Sequence, residues 1–154
     1  MKKIELTQGK YAIVDDNDYA YLSQWNWNCN KNNRAFYAVR TVNHSGKMNM
    51  HRQLIGDVEG KVCDHINGDG LDNRRSNLRH ATHSENMRNR KLNLNNTTGY
   101  KVVSWRPKPN KWESSIRVNG KYRYLGRFST LMEASEAYNS AALRYFGKFS
   151  KLNS

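Results

Sequence analysis

Residues 62–89, VCDHINGDGLDNRRSNLRHATHSENMRN, restrict the fold of this chain more than any other segment. Residues 62–66 have the composition of a short β-strand. Residues 67–70 supply asparagine, aspartate and glycine, which tolerate positive φ and reverse the chain. Residues 82–85 match a capping box, which predicts a helix over about 83–91. The segment therefore predicts a strand, a turn and a helix in that order.

The same segment carries polar side chains whose types and spacing suit metal-assisted chemistry. Asp64 and His65 are adjacent; Asn77 follows 12 residues after the histidine, and Asn86 lies nine residues further. A carboxylate and an amide can ligate one divalent cation, while an imidazole can act as a general base at neutral pH. A net charge of +13 would hold a polyanion against such a site. The pattern predicts metal-dependent cleavage of phosphodiester bonds in nucleic acid.

This spacing resembles the HNH nuclease motif, in the branch found in phage homing endonucleases, whose last motif residue is Asn rather than His. The surrounding sequence is similar too, at residues 65–68, 71–73 and 77–79. The resemblance implies a ββα-metal fold in which Asp64 and Asn86 bind Mg²⁺ or Mn²⁺. It also implies that His65 deprotonates the attacking water, and it leaves Asn77 either to orient His65 or to fix the loop.

The strand pattern limits which of these side chains can share one site. Neighbours on a regular strand point to opposite faces, so Asp64 and His65 can face one site only if the strand bends. Arg79 and His80 lie close enough in sequence to contact phosphate. The remaining histidines are expected to be structural or surface residues: His44, His51 and His83.

The composition of the 154-residue chain favours small modules over one large core. Hydrophobic residues make up 37% of the chain, and the mean hydropathy is −0.96. No apolar run approaches the length of a membrane span, and residues 1–5 lack the apolar stretch of a signal peptide. The chain is therefore expected to be cytoplasmic, in an infected bacterial host if a phage encodes it.

Two cysteines, Cys29 and Cys63, are too few for a disulfide framework and form no C-x-x-C pair. Some HNH proteins hold a structural zinc with four cysteines, which this chain cannot do. Both thiols are therefore expected to be buried and unpaired, and no structural zinc is expected.

Residues 1–60 are predicted to be a β-rich part of the nuclease region that leads into the motif at 61–91. Alternation of apolar and polar residues indicates short strands at 3–7, 11–14, 25–29 and 36–39. Residues 31–33 are predicted to form a hairpin tip. Residues 92–99 are polar without helical periodicity, which predicts a linker.

Residues 100–154 predict a three-stranded antiparallel sheet packed on one helix. Strands are indicated at 100–105, 111–118 and 121–128, and Asn119–Gly120 is a strong hairpin signal. A capping box at 130–133 opens the helix, and Gly147 ends it. Residues 96–154 hold eleven Lys and Arg against three Asp and Glu. This excess of +8 indicates phosphate contacts in this segment.

Several short runs in this segment follow a known pattern: Tyr124-Leu125-Gly126-x-Phe128, Glu133-Ala134-x-x-Ala137-Tyr138, Ala141-Ala142, Phe146-Gly147 and Leu152-Asn153. They resemble the Apetala/ethylene-response-factor (ERF) DNA-binding domain, which also occurs in phage HNH endonucleases. The resemblance implies a sheet that enters the major groove, with Arg106, Arg117 and Tyr124 at DNA-contacting positions. Tyr122 faces outward beside them. Ser104 and Arg123 depart from the plant family, so its target sequence cannot be transferred.

These observations predict an α+β chain: a β-rich amino-terminal segment, a ββα-metal nuclease motif, and a three-stranded antiparallel sheet packed on one helix. The leading hypothesis is a site-selective endonuclease that nicks double-stranded DNA as a monomer, without an obligate protein partner or a membrane. The alternatives are a non-catalytic, sequence-specific DNA-binding regulator with a decayed nuclease site, and a small basic RNA-associated structural protein. The presence of all four motif residues favours the nuclease.

Overall fold

Small antiparallel sheets and four α-helices make up the part of the chain that the computed structural model describes, residues 1–32, 35–43, 46–90, 92 and 95–153. The mixed α+β class expected from the sequence is confirmed. The chain divides into two units, Met1–Asn86 and Met87–Ser154. Among these described residues, no helix has the length and apolar character needed to cross a membrane.

The first unit begins with two sheets and two helices that precede the nuclease motif. In chain order these are β1 (Lys2–Glu5), β2 (Tyr11–Val14), α1 (Asp16–Leu22), β3 (Asn28–Asn32), β4 (Ala35–Val42), β5 (Gly46–Asn49) and α2 (Met50–Ile55). β1 pairs with β2, and β4 lies between β3 and β5. The strand predicted at 25–29 begins only at Asn28, because Trp27 pairs with Leu6 in an isolated parallel bridge instead of with β4. Asn33 of the predicted hairpin tip, and His44, lie outside the described residues.

The core of this unit follows from the alternation of its strands and from one face of each helix. Ala12 and Val14, two residues apart on β2, are fully buried, as period-two alternation requires. Leu22 of α1 and Met50 of α2 are also fully buried. Leu78 of the nuclease motif belongs to the same cluster. The motif therefore packs on the amino-terminal core.

The nuclease motif forms a hairpin of β6 (Val62–His65) and β7 (Leu78–Ala81), followed by α3 (His83–Arg88). The predicted capping box is present: the Thr82 amide donates to Glu85 Oε2 at 2.8 Å, and the Glu85 amide donates to Thr82 Oγ1 at 3.3 Å. α3 ends at Arg88, earlier than predicted, because the sequence that follows has no apolar stripe to bury. Lys91 lies outside the described residues.

The loop between β6 and β7 is joined to the amino-terminal sheets by its main chain. The Ile13 amide donates to the Leu71 carbonyl, and the Asn73 amide donates to the Ile13 carbonyl, each at 2.8 Å. Gly70 packs so closely that a Cβ there would lie 2.6 Å from the Tyr37 ring. These contacts fix the position of the loop that carries the motif.

The second unit is a sheet of β8 (Val103–Arg106), β9 (Lys111–Val118) and β10 (Lys121–Phe128) with one helix, α4 (Leu131–Phe146). β9 lies between the other two strands. Ile116 on β9 clusters with Tyr138 and Ala142 on α4. The alanine on this helix face lets the helix approach the sheet closely.

The boundaries in this unit follow the sequence signals with one exception. The capping box of Thr130 and Glu133 opens α4 as predicted, and Gly147 caps its end with a φ of 52°. Asn119 and Gly120 both have positive φ, as a two-residue hairpin turn requires. The first strand begins at Val103 rather than at residue 100, because Val102 has a φ of 54° and lies outside the β region.

Gly70→Ala should lower the free energy of unfolding by about 1–3 kcal/mol, because the new Cβ would overlap the Phe36 carbonyl and lie 2.6 Å from the Tyr37 ring. Urea unfolding followed by circular dichroism measures this change. Gly60→Ala is the control, because its Cβ meets nothing within 4 Å and only its φ of +69° opposes a side chain. A loss no larger than that of the control would contradict the close packing of the loop.

Candidate active site

The β6–β7 hairpin buries both Asp64 and His65, which are 4% and 6% exposed. The register runs without a shift from Val62 opposite Ala81 to His65 opposite Leu78. The register therefore shows no bulge between Asp64 and His65 that would turn both side chains to one face of the strand. Each side chain has its own set of polar and aromatic partners.

Asp64 is paired with Arg79, which lies opposite it on β7. The guanidinium approaches Asp64 Oδ2 with Nη2 at 2.7 Å and Nε at 2.8 Å. The two side chains are 4% and 13% exposed, so water screens the pair poorly. Arg79 is thus a neighbour of the predicted metal ligand, a role that the sequence analysis did not assign.

His65 is held through one ring nitrogen by Asn73, a fully buried residue. Nε2 of His65 lies 3.4 Å from Asn73 Oδ1, while Asn73 Nδ2 donates to the Leu71 carbonyl at 3.2 Å. The second bond fixes the amide so that its oxygen faces the imidazole. An amide oxygen only accepts hydrogen bonds, so the network assigns the proton of neutral His65 to Nε2. Nδ1 is then the basic nitrogen.

Two aromatic side chains that the sequence analysis did not assign to the site lie against the His65 ring. His51 on α2 meets it edge-on, with 5.0 Å between centroids and an interplanar angle of 89°. Tyr37 on β4 lies 5.9 Å from it. His51 is 8% exposed, and its Nδ1 has no hydrogen-bond partner among the described residues. No sequence spacing links these residues to His65, because α2 and β4 reach β6 only through folding.

Asn77 fixes the turn of the motif. Its Oδ1 accepts a hydrogen bond from the Asn67 amide at 3.0 Å, and its Nδ2 donates to the Asp72 carbonyl at 2.7 Å. Asn67 Nδ2 also donates to Asp72 Oδ2 at 2.9 Å. Of the two roles predicted for Asn77, these contacts are those of a residue that fixes the loop.

Asn86, the second predicted metal ligand, is the fourth of the six residues of α3 and is half-buried. Its amide nitrogen donates to the Thr82 carbonyl at 3.0 Å. Over the described ranges, no three His, Cys, Asp or Glu side chains gather in a group that could hold a metal ion. Cys29 is buried and Cys63 is half-buried, and both are unpaired thiols.

Burial sets the ionisation of the groups around the hairpin. It lowers the pKa of His65, and the hydrogen bond that His65 donates to Asn73 and the charge of Asp64 oppose this effect in part. Burial also lowers the pKa of His51 to about 3, and nearby positive charge adds to the effect. The pKa of Cys63 is raised to about 12, again chiefly by burial. At neutral pH the site therefore holds two neutral imidazoles and a protonated thiol.

The outward face of the carboxy-terminal sheet carries the residues predicted to contact DNA. Tyr122 and Tyr124 on β10 are 72% and 62% exposed. Arg117 lies opposite Tyr122 in the register, and its guanidinium carbon is 5.3 Å from the centre of that ring. One arginine and two tyrosine rings on this face are therefore available to a polyanion.

Arg106 is held on this face by a carboxylate. Its Nη2 lies 2.8 Å from Glu113 Oε1, and Arg127 Nε lies 3.2 Å from Glu113 Oε2. The sequence analysis did not assign Arg127 to the surface that contacts DNA. Period-two alternation along β10 could not find it, because a register shift between Tyr124 and Gly126 changes which residues face outward.

Comparison with known proteins gives relatives for the nuclease motif. The profile of the HNH endonuclease family matches residues 52–88, which include β6, β7 and α3. An uncharacterized HNH endonuclease of Acanthamoeba polyphaga mimivirus is 30% identical over 152 residues, covering 95% of this chain and 76% of the relative. Protein 3.8 of Escherichia phage T7 is 36% identical over 63 residues, covering 41% of this chain and 52% of that protein. No solved structure matches the chain significantly.

The lowered pKa of His51 predicts that the free energy of unfolding falls as the pH drops from about 6.5 towards about 3. In that range the unfolded chain binds a proton at residue 51 that the folded chain does not. The contribution of neutral His51 to the free energy of unfolding is therefore complete above pH 6.5 and is lost on acidification. Urea unfolding of wild type and His51→Phe at two pH values, 7.5 and 5.5, measures it. Between pH 7.5 and 5.5 the free energy of unfolding of the wild type should fall by about 1 kcal/mol more than that of the variant. Equal losses would contradict a buried, neutral His51.

Proposed function

Because this chain belongs to the HNH endonuclease family, we propose that it is a metal-dependent endonuclease that hydrolyses phosphodiester bonds in double-stranded DNA. One observation carries the proposal: His65 is buried, hydrogen-bonded through Nε2 to Asn73, and adjacent to Asp64. The charge of Asp64 acts on the pKa of His65, so a neutral general base lies within electrostatic range of an oxygen ligand for a cation. Hydrolysis of a phosphodiester by water needs both groups close together.

His65 is the proposed general base. Its Nδ1 would take a proton from the attacking water, while Asn73 Oδ1 keeps its hold on the Nε2 proton. The lowered pKa of His65 keeps the imidazole unprotonated at neutral pH and lets it release the proton to solvent after each turnover. Asn77 contributes through the loop, whose turn it fixes, rather than through the water.

Asp64 and Asn86 are the proposed ligands of a divalent ion, Mg²⁺ or Mn²⁺. Carboxylate and amide oxygens suit such hard cations, and two protein ligands leave the remaining positions to water and phosphate. The Arg79 guanidinium, 2.7 Å from Asp64, shows that this carboxylate oxygen accepts a positively charged partner. When bound, the ion would stabilise the charge that develops on the phosphate and on the leaving oxygen.

The proposed product is a nick. One HNH motif supplies one active site, and a monomer with one active site most simply cuts one strand. The viral origin of the two relatives supports a site-selective nuclease of the phage homing type, acting in the cytoplasm of an infected host. No obligate protein partner is proposed.

The carboxy-terminal sheet is the proposed DNA-binding module, used in the manner of an ERF-type domain. Two observations support this role. Residues 96–154 carry an excess positive charge of +8, and Tyr122 and Tyr124 are exposed next to Arg117. A sheet can enter the major groove, where arginine pairs with guanine and tyrosine makes apolar and phosphate contacts. Arg106 would contribute from β8.

A non-catalytic DNA-binding regulator is the competing function, because the basic sheet alone would explain DNA binding. The hydrogen-bonded geometry of the motif favours the nuclease. Asp64, His65 and Asn77 are all buried and each makes specific polar contacts. Loss of selection on a nuclease site would leave these groups free to change.

His65→Ala should lower the rate of cleavage by about 10²–10⁴-fold and leave DNA affinity unchanged, because it removes the proton acceptor and no proposed DNA contact. Conversion of supercoiled plasmid to open circles, assayed with Mg²⁺, Mn²⁺ and EDTA, measures the rate, and fluorescence anisotropy measures binding. His83→Ala, at an exposed histidine of α3, is the matched control. Cleavage retained in His65→Ala would refute the general base. Tight binding without any cleavage by wild type would establish the regulator instead.

Arg117→Ala and Tyr124→Ala should each weaken DNA binding by about 1–3 kcal/mol, because each removes a proposed contact in the groove. Anisotropy titrations over a range of salt concentrations, on a duplex recovered from the cleavage assay, measure the affinity and its salt dependence. Arg144→Ala on α4 removes the same charge from an exposed position outside the sheet. An equal effect of Arg117→Ala and Arg144→Ala would show that only net charge matters.

A further inference from the structure

Three charged side chains on the outward face of the carboxy-terminal sheet form one group, the Glu113 cluster: Arg106 on β8, Glu113 on β9 and Arg127 on β10. Oε1 of the carboxylate accepts from Arg106 Nε and Nη2 at 3.1 Å and 2.8 Å, and Oε2 accepts from Arg127 Nε at 3.2 Å. Glu113 faces outward because Ser114 and Ile116, at the alternating positions of β9, are buried. The cluster therefore lies on the face that is proposed to bind DNA.

Stability does not account for the Glu113 cluster. The guanidinium groups of Arg106 and Arg127 are 51% and 48% exposed, and ion pairs this exposed contribute little to the free energy of unfolding. Hydrogen bonds from Arg106 and Arg127 lower the pKa of Glu113, so its carboxylate stays ionised at neutral pH. A fixed negative charge repels a polyanion. On a surface that only attracted phosphate Glu113 would be unfavourable, and selection among DNA sequences is the role that it fits.

The hydrogen bonds to Glu113 orient both guanidinium groups and leave donors for a ligand. Arg106 uses its Nε–Nη2 edge on the carboxylate, so the edge formed by Nη1 and Nη2 remains for another acceptor pair. Arg127 uses Nε, and its two terminal nitrogens remain. Two parallel donors of one guanidinium match the O6 and N7 acceptors of guanine in the major groove. A side chain that is already oriented loses less conformational freedom on binding.

We propose that Glu113 determines the sequence selectivity of the carboxy-terminal sheet by orienting Arg106 and Arg127 toward two guanines, with Arg127 as a further residue that reads a base. This inference rests on the proposed DNA-binding role of the sheet and names the sequence feature that the sheet reads. Glu113 is a positioning residue, and its charge weakens binding to duplexes that lack guanine at these positions. A Glu113 that acted by charge alone would weaken binding to every duplex equally.

Selection from a random-sequence duplex library tests the two arginines. The full chain is used in EDTA, which prevents the proposed metal-dependent cleavage, and the bound duplexes are sequenced. The wild type should enrich guanine at two fixed positions, and Arg106→Ala and Arg127→Ala should each lose the preference at a different one of them. Arg123→Ala is the control for charge on β10, because the Arg123 guanidinium carbon lies 5.3 Å from the centre of the Tyr145 ring on α4. This variant should keep both preferences.

Variants of Glu113 separate its orienting role from its charge. Glu113→Asp keeps the charge on a shorter side chain. It should bind random duplex as wild type does, but prefer the enriched duplex over one without the two guanines by about tenfold less. Glu113→Gln should lose the same discrimination and also bind random duplex more tightly, because a negative charge is removed. Glu136→Gln, at an exposed position of α4, should keep the discrimination. Fluorescence anisotropy measures each affinity, and circular dichroism verifies folding.

The results that contradict this inference differ from those that contradict the proposed function. Retention of both guanine preferences by Arg127→Ala rejects Arg127 as a reader. Wild-type discrimination by Glu113→Asp, with an equal gain in affinity for every duplex by Glu113→Gln, assigns Glu113 a role through charge alone. A wild type that binds DNA without enriching any sequence rejects selection by the sheet and leaves the nuclease proposal standing. A wild type that binds no duplex rejects the proposed DNA-binding role of the sheet as well.

Discussion

The nuclease motif depends on a small network of amide and carboxylate side chains that replaces regular structure between β6 and β7. Asn77 accepts from the Asn67 amide and donates to the Asp72 carbonyl, and Asn67 donates to the Asp72 carboxylate. These bonds satisfy groups that would otherwise be buried without partners. The loop is then joined to Ile13 by two main-chain hydrogen bonds, which include the Asn73 amide. The network therefore determines where Asn73 stands relative to His65.

Structural elements that are set by residues close together in the sequence could be predicted. The capping boxes at Thr82 and Thr130 depend on residues three positions apart, and both are present. The boundaries that differ depend on contacts that no local pattern encodes. Trp27 pairs with Leu6 in an isolated bridge instead of extending β3, and Val102 takes a positive φ before β8.

Only the site residues that belong to the sequence motif could be predicted. Spacing selected Asp64 and His65, but the partner of Asp64 depends on how β6 and β7 align across an irregular loop. That register pairs Asp64 with Arg79, and the number of residues in the loop does not set it. His51 lies 14 residues before His65 in a different element, so its ring contact with His65 appears only in the folded unit.

The strength of the proposed general base is a property of the whole first unit rather than of the motif alone. Burial is the main cause of the lowered pKa of His65. A two-stranded hairpin with one short helix has too little apolar surface to bury an imidazole by itself. The ring neighbours come from elsewhere: Tyr37 from β4 and His51 from α2. The domain boundary predicted at residue 60 stays a prediction. Residues before that boundary nevertheless contribute to the burial that lowers the pKa of His65, which lies after it. A motif transplanted without them would keep its proposed metal ligands and lose the environment that holds its proposed base neutral.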